Sequence, residues 1–152
     1  MKLTLYLIIV LVLVIGGLLA SFSLSSRKQI VQGITNERLQ ACPESPNCVC
    51  SEYPDVQAFI EPLRYSIAHA DAWQSIKSAI SHTGGKIVKE KGGYIHAQFY
   101  STIFRFIDDV ELRMDENRFL INVRSASRVG RSDLGVNRKR IEKIRKHFES
   151  EY

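Results

Sequence analysis

Two adjacent carboxylates, Asp108 and Asp109, sit in a strand-like run, Phe106-Ile-Asp-Asp-Val-Glu-Leu-Arg113. A second run, Arg124-Ser-Ala-Ser-Arg-Val-Gly-Arg-Ser-Asp-Leu-Gly-Val-Asn-Arg138, is dense in arginine and serine and leads into a very basic segment. Carboxylates can act as general acid and base, and arginines beside serines can hold a phosphate, sulfate or carboxylate. Successive strand residues point to opposite faces, so Asp108 and Asp109 cannot work as a pair on one substrate. The basic run has two readings. In one, Asp108, Asp133 or another acid neutralises it internally. In the other, Arg128, Arg131, Ser132 and Arg138 form a seat for an external anion.

The elements that must position these groups follow from periodicity. Asp71-Ala-Trp-Gln74 resembles a helix start, with Asp71 as cap. Trp73, Ile76 and Ile80 follow at helical spacing, and Gly84-Gly85 supplies the stop. Ile60, Leu63, Tyr65 and Ile67 around Pro62 suggest an edge strand or extended arm. Lys86–Lys91 and Tyr94–Tyr100 flank Gly92-Gly93, a primed-turn hairpin signal. Arg105–Met114 and Phe119–Ser127 read as two more strands. A tight turn at Asp115–Arg118 would set Leu112 opposite Ile121 and Val110 opposite Val123. It would also set Asp108 opposite Ser125, and Asp109 opposite Arg124. Phe106, Val110, Leu112, Phe119, Ile121 and Val123 then share the core face. Asp109–Arg124 becomes an outer-face ion pair, and Asp108 needs Ser125 or an arginine from Arg128, Arg131 and Arg138. Asn137–Ser150 closes the chain as a helix with Ile141, Ile144 and Phe148 on one stripe. Its first turn carries Arg138, Lys139 and Arg140, where the backbone dipole disfavours cations. Lys139, Lys143 and Lys146 fall on the opposite face as solvated surface. The expected fold is α+β: an antiparallel sheet of about four strands, two helices on one face, and a transmembrane helix in front.

That leading helix is residues 1–26. No charge occurs from Leu3 to Ser26, long enough to cross a hydrocarbon core of roughly 30 Å. The run outlasts the apolar region of a signal peptide and reads as a retained anchor, although Ser21-Phe22-Ser23 would suit a cleavage site. Lys2 before the span and Arg27 and Lys28 after it leave the charge rule for orientation nearly balanced. The cysteines bear on the compartment. Cys42-Pro-Glu-Ser-Pro-Asn-Cys48 is a tight loop that can bring Cys42 and Cys48 within bridging distance, which implies an oxidising, extracytoplasmic (periplasmic) location; Cys50 is the odd thiol. Free thiols remain an alternative reading, and no spacing completes a metal site. Residues 27–38 form a polar tether and 39–152 the globular domain.

The net charge of +5 is regional: Arg27–Asn117 hold 10 basic and 12 acidic side chains, and Arg118–His147 hold 10 and 2. A patch of that kind suits an anionic partner. Nucleic acid is not expected, because no recognised motif is present and an anchored domain behind a disulfide seldom meets it. Anionic lipid headgroups, an anionic small molecule or a protein partner fit better. His69, His82, His96 and His147 are scattered, and His96 reads as a tolerated strand position. No nucleophile elbow, phosphate loop or dinucleotide fingerprint occurs, and no cofactor is implied.

Three segments together resemble a known family: Cys42-Pro-Glu-Ser-Pro-Asn-Cys48-Val, Phe106-Ile-Asp-Asp-Val-Glu, and Arg124 through Arg138. They are similar to domain-of-unknown-function family fourteen ninety-nine, found in bacteria and chloroplasts, over Leu39 to about Phe148. The resemblance implies a domain that follows signal or anchor segments, with no established activity to carry over. Cys50 departs from it, standing where a serine is expected. The functional expectation is an envelope domain binding an anionic ligand, lipid headgroup or protein through Arg128, Arg131, Ser132, Asp133 and Arg138, with Asp108 and Ser125. A hydrolase using Asp108 or Asp133, and a purely structural envelope component, are the alternatives.

Overall fold

The computed structural model describes residues 2–28, 31, 33–54 and 56–151. The elements run α1 (Lys2–Lys28), β1 (Ile34–Thr35), β2 (Arg38–Leu39), β3 (Cys48–Cys50), β4 (Leu63–Arg64), α2 (His69–His82), β5 (Lys86–Lys91), β6 (Tyr94–Tyr100), β7 (Ile107–Asp115), β8 (Leu120–Ser127) and α3 (Val136–Glu149). The sheet is larger than the expected four strands. Six strands run in the order β3-β8-β7-β6-β5, with β4 also pairing β8, and β1 and β2 make a separate hairpin. Two short strands cause the difference: β3 holds three residues, too few for alternation to register in sequence, and β4, of two, lies in the segment around Pro62 read as an edge strand or extended arm. Among the described residues there are three α-helices, counting α1. α1 is 27 residues long and apolar enough to cross a membrane.

Local chemistry explains the joints. Gly92 and Gly93 have φ of 56° and 74°, the left-handed backbone that a primed hairpin turn needs and glycine alone adopts without strain. α2 begins earlier than expected, at His69. Its N-cap is Ala68, without a side-chain bond, and Asp71 lies in the first turn, where its charge suits the dipole. Gly85 sits where any Cβ would meet the Phe99 ring at 2.6 Å and Ile80 at 2.7 Å, so the chain leaves α2 pressed against the sheet.

One sheet face builds the core. Ile76 and Ile80 of α2 and Ile141, Ile144 and Phe148 of α3 pack on Ile95, Val110, Leu112, Ile121 and Val123, all buried. Each such side chain contributes about 1.5–3 kcal/mol. Phe119 is a correction: it takes a left-handed φ of 53° and is 48% exposed, and Phe106 precedes β7.

The β7–β8 register is also corrected. The turn is a short 3₁₀ helix, Glu116–Arg118, with Asp115 accepting from the Arg118 amide at 3.2 Å. Asp115 therefore opposes Leu120, and every pair shifts by two residues: Val110 faces Ser125, Glu111 faces Arg124 and Asp108 faces Ser127. A shift of two preserves which face each residue takes but changes every partner. The second face is not left to solvent either. The β1–β2 hairpin, Glu52 and Tyr53 lie over part of it: Glu52 accepts from the Leu39 amide at 2.8 Å, and Tyr53 donates to the Leu39 carbonyl at 3.1 Å. The last turns of α1 approach the same face, where Ser26 is fully buried. Within 27–38, Arg27 and Lys28 complete α1 and residues 34–35 are strand; residues 29, 30 and 32 lie outside the described ones.

Candidate functional site

Charge on the second sheet face is buried. Tyr94 and His96 of β6, Asp109 and Glu111 of β7, and Arg124 of β8 share the parity opposite the core, and Arg128 follows β8. Asp109 is 3% exposed and Glu111 fully enclosed. Buried carboxylates are tolerated only when paired, and these are. Asp109 accepts two bonds from Arg128, at 2.6 and 2.8 Å, and pairs with His96 Nε2 at 2.7 Å. Burial pushes the Asp109 carboxyl up, but the bonds from Arg128 and His96 outweigh it and hold the group below the usual carboxylate range. The bond to Asp109 raises the Arg128 guanidinium in turn. Glu111 accepts from Tyr94 at 2.8 Å and from Arg124 at 2.9 Å. Burial, with Glu111 beside it, raises the Tyr94 phenol far above its ordinary value. Beyond Glu111 the ladder continues to Arg113, which donates to Glu52 at 2.7 Å.

The expected pairings are corrected accordingly. Asp109 is held by Arg128, not Arg124, and Arg124 serves Glu111. Asp108 is held by Arg140, reaching across from α3, and not by Arg128, Arg131 or Arg138. Arg140 also stacks over Phe99 at 4.9 Å and donates to Ser125 at 3.1 Å. His96 is a partner of a buried acid, not an idle strand position.

The long Arg-Ser segment mostly builds the bend between β8 and α3. Asn137 is buried and donates to the Asn47 carbonyl at 2.8 Å and to Ser127 at 3.0 Å, while its oxygen accepts from Ser125. Asn47 returns a bond to the Gly130 carbonyl at 2.6 Å, tying the cysteine loop to the same corner. Gly135 enters α3 with φ of 78°, and Asp133 accepts from the amides of Gly135 (2.9 Å) and Asn137 (2.7 Å). That internal acid offsets the basic first turn of α3. Asp108 and Asp133 thus both hold the fold, one through Arg140 and the other through the amides at the start of α3. Arg138 donates to the carbonyls of Phe59 (2.7 Å) and Gln57 (3.4 Å), and Arg131 and Ser132 are exposed on the loop. Of the sequence-selected residues, Asp108 and Ser125 meet through Arg140, Asp133 and Arg138 border one groove, and Arg128 belongs to the opposite face.

Cys42 and Cys48 are bridged, with Cα atoms 5.6 Å apart, and Cys50 is a buried free thiol that burial pushes up. The bridge borders a mostly apolar groove of about 420 Å³ shared with Tyr53, Val56, Asp133 and Arg138. A second groove, of about 470 Å³, opens between Phe22 and Ser25 of α1, Ser45 and Asn47 of the cysteine loop, and Arg124 and Arg128. Arg124 lines it, and the Nε of that side chain, buried behind the groove surface, is the one buried side-chain nitrogen or oxygen without a partner among the described residues. Buried donors are nearly always satisfied, so this orphan marks a place where an acceptor is expected. The sequence signal for this face was present in Tyr94-x-His96 and Asp109-x-Glu111-x-Arg113, but alternation cannot tell that a polar face is covered.

A protein-family model described as "Protein of unknown function (DUF1499)" matches residues 38–148. No curated protein and no solved structure matches the chain.

Proposed function

The chain belongs to the DUF1499 family, and since that family carries no assigned activity, we propose a role from the geometry: a membrane-anchored, extracytoplasmic domain that binds an anionic group in the groove beside the end of α1. The apolar length of α1 supports the anchor, and the Cys42–Cys48 bridge supports an oxidising compartment. The observation that carries the binding reading is the unpartnered Arg124 Nε, with Arg128, Ser45 and Asn47 around the same groove. A phosphate or carboxylate there would accept from Nε once the side chains covering that buried nitrogen part, while Nη1 keeps its bond to Glu111. Arg128, the residue of the Arg-rich loop that lines this groove, keeps its place in the site; Arg131 and Arg138 do not line it.

Such a group could come from solution or from a lipid headgroup, and the test separates the two. Full-length protein with ¹⁵N-arginine is placed in nanodiscs of zwitterionic lipid and titrated with inorganic phosphate. A parallel sample carries phosphatidylglycerol and no phosphate. A saturating shift of the Arg124 Nε–H resonance in the first arm identifies a soluble anion, and in the second a headgroup. Arg124→Lys, which keeps the charge and lacks Nε, assigns the resonance by its absence. A resonance that moves in neither arm ends the reading.

A further inference from the structure

At one end of the sheet, where β6 ends and β7 begins, the loop Ser101–Phe106 presents apolar side chains to solvent, Ile103 most of all. Ile103 is 80% exposed, Phe104 38% and Tyr100, at its base, 37%. The loop is held in that shape: the Ser101 amide donates to the Phe106 carbonyl at 2.9 Å, the Phe106 amide donates to Ser101 Oγ at 2.9 Å, and Arg105 takes a left-handed φ of 55°. The β8–α3 loop leaves from the same end, since Asp108 pairs with Ser127, and it carries Leu134 at 86% exposure. Isolated exposed apolar residues are ordinary, but two loop tips at one end are a shared feature.

Cations surround these tips. Arg27, Lys86 and Arg105 line one groove with Tyr100 and Ile107, and the Arg105 guanidinium stacks over the Tyr100 ring at 4.9 Å. Arg131 is exposed on the second loop and Lys28 at the end of α1. None of these five cations makes an ion pair among the described residues. The last turns of α1 reach this same end, with Ser26 accepting from Arg128 at 3.0 Å and Phe22 and Ser25 beside Val129 and Gly130.

From this we infer that the sheet end bearing Ile103, Phe104 and Leu134 docks on the bilayer that α1 crosses, with the apolar tips in the interfacial layer and Arg27, Lys28, Lys86, Arg105 and Arg131 against anionic headgroups. The inference rests on α1 being a membrane span and adds to it a fixed orientation of the domain. Apolar tips ringed by cations and an aromatic are the composition that interfacial segments use. Each cation near an anionic surface strengthens association by about fivefold, so several together hold a domain already tethered there.

The test uses the full chain in nanodiscs, with an environment-sensitive fluorophore on single introduced cysteines. Leu11→Cys reports the span, Ile103→Cys and Leu134→Cys report docking, and Asn117→Cys, in the β7–β8 turn at the far end of the sheet, is the reference. Nitroxide lipids should quench the Leu11 probe from deep positions and the Ile103 and Leu134 probes from shallow ones, leaving the Asn117 probe unquenched. The double variant Lys86→Glu/Arg105→Glu should cut the Ile103 quenching at least fivefold in anionic discs. Hydrogen exchange on the unlabelled chain guards against a probe that inserts by itself: amides 101–105 should exchange more slowly in anionic discs than in detergent. Quenching at Leu11 with solvent-like probes at Ile103 and Leu134 overturns docking while keeping the span. An unquenched Leu11 probe overturns both.

Discussion

Replacing Asp109 by Asn is the sharpest probe of the buried charge on the second sheet face. The change preserves shape and removes one charge, leaving the Arg128 guanidinium, only 7% exposed, without its counter-ion. Breaking a buried pair from one side costs about 3–5 kcal/mol. Arg128 keeps its bond to the Ser26 carbonyl and borders a groove open to water, so the lower end, about 3 kcal/mol, is expected. For a domain of this size that corresponds to a Tm lower by about 12 °C. Arg128→Met should cost a similar amount by stranding Asp109 with His96 alone. The double variant should cost clearly less than the sum, with a coupling above about 1.5 kcal/mol, because neither charge is then left alone. Thermal unfolding of the full chain in nanodiscs, followed by near-ultraviolet circular dichroism, measures all three. The pH dependence adds an independent check. Asp109 has a depressed carboxyl in the folded state, so its stabilisation is present above the unfolded value of 3.8 and is lost as pH falls through the lower folded value. Wild type should therefore lose stability more steeply than Asp109→Asn below about pH 4. A single substitution costing under about 1 kcal/mol, or strictly additive effects, would refute the claim that this face is desolvated and coupled.

Three further outcomes follow from particular contacts. Asn137→Ala removes the bonds to Asn47, Ser127, Ser125 and Arg140 and should destabilise by about 3 kcal/mol, measured by urea unfolding, with faster amide exchange in both the cysteine loop and the start of α3. Gly85→Ala forces a Cβ into Phe99 and Ile80 and should cost about 1–3 kcal/mol in the same assay; a neutral result would mean α2 is not pressed against β6. Reducing the Cys42–Cys48 bridge should lower stability by about 2 kcal/mol, the closure entropy of so short a loop, in thermal melts with and without reductant.

Much of this molecule was legible in the chain itself, because the relevant physics is local. The apolar run of α1, the helical stripe of Ile141, Ile144 and Phe148, and the two glycines of the β5–β6 turn each act within a few residues. The Cys42–Cys48 loop is local in the same sense, and the assignment of Val110, Leu112, Ile121 and Val123 to one face rests only on a period of two. Partnership was not legible. A 3₁₀ turn in place of a two-residue loop moved β8 by two residues, keeping every face and changing every cross-strand pair, so Arg124 met Glu111 and not Asp109. Arg140 reached Asp108 because α3 packs back over the sheet, a geometry that sequence spacing does not encode. Above all, alternation separates the two sides of a sheet but cannot say which are covered. The β1–β2 hairpin, Glu52 and the end of α1 come from far along the chain, and by lying over the second face they turn what looks like a solvated row of charges into a desolvated, paired one. Sequence alone determined that these charges line up. The tertiary structure decided that they are buried, who holds whom, and that Arg124 is left with a donor to spare.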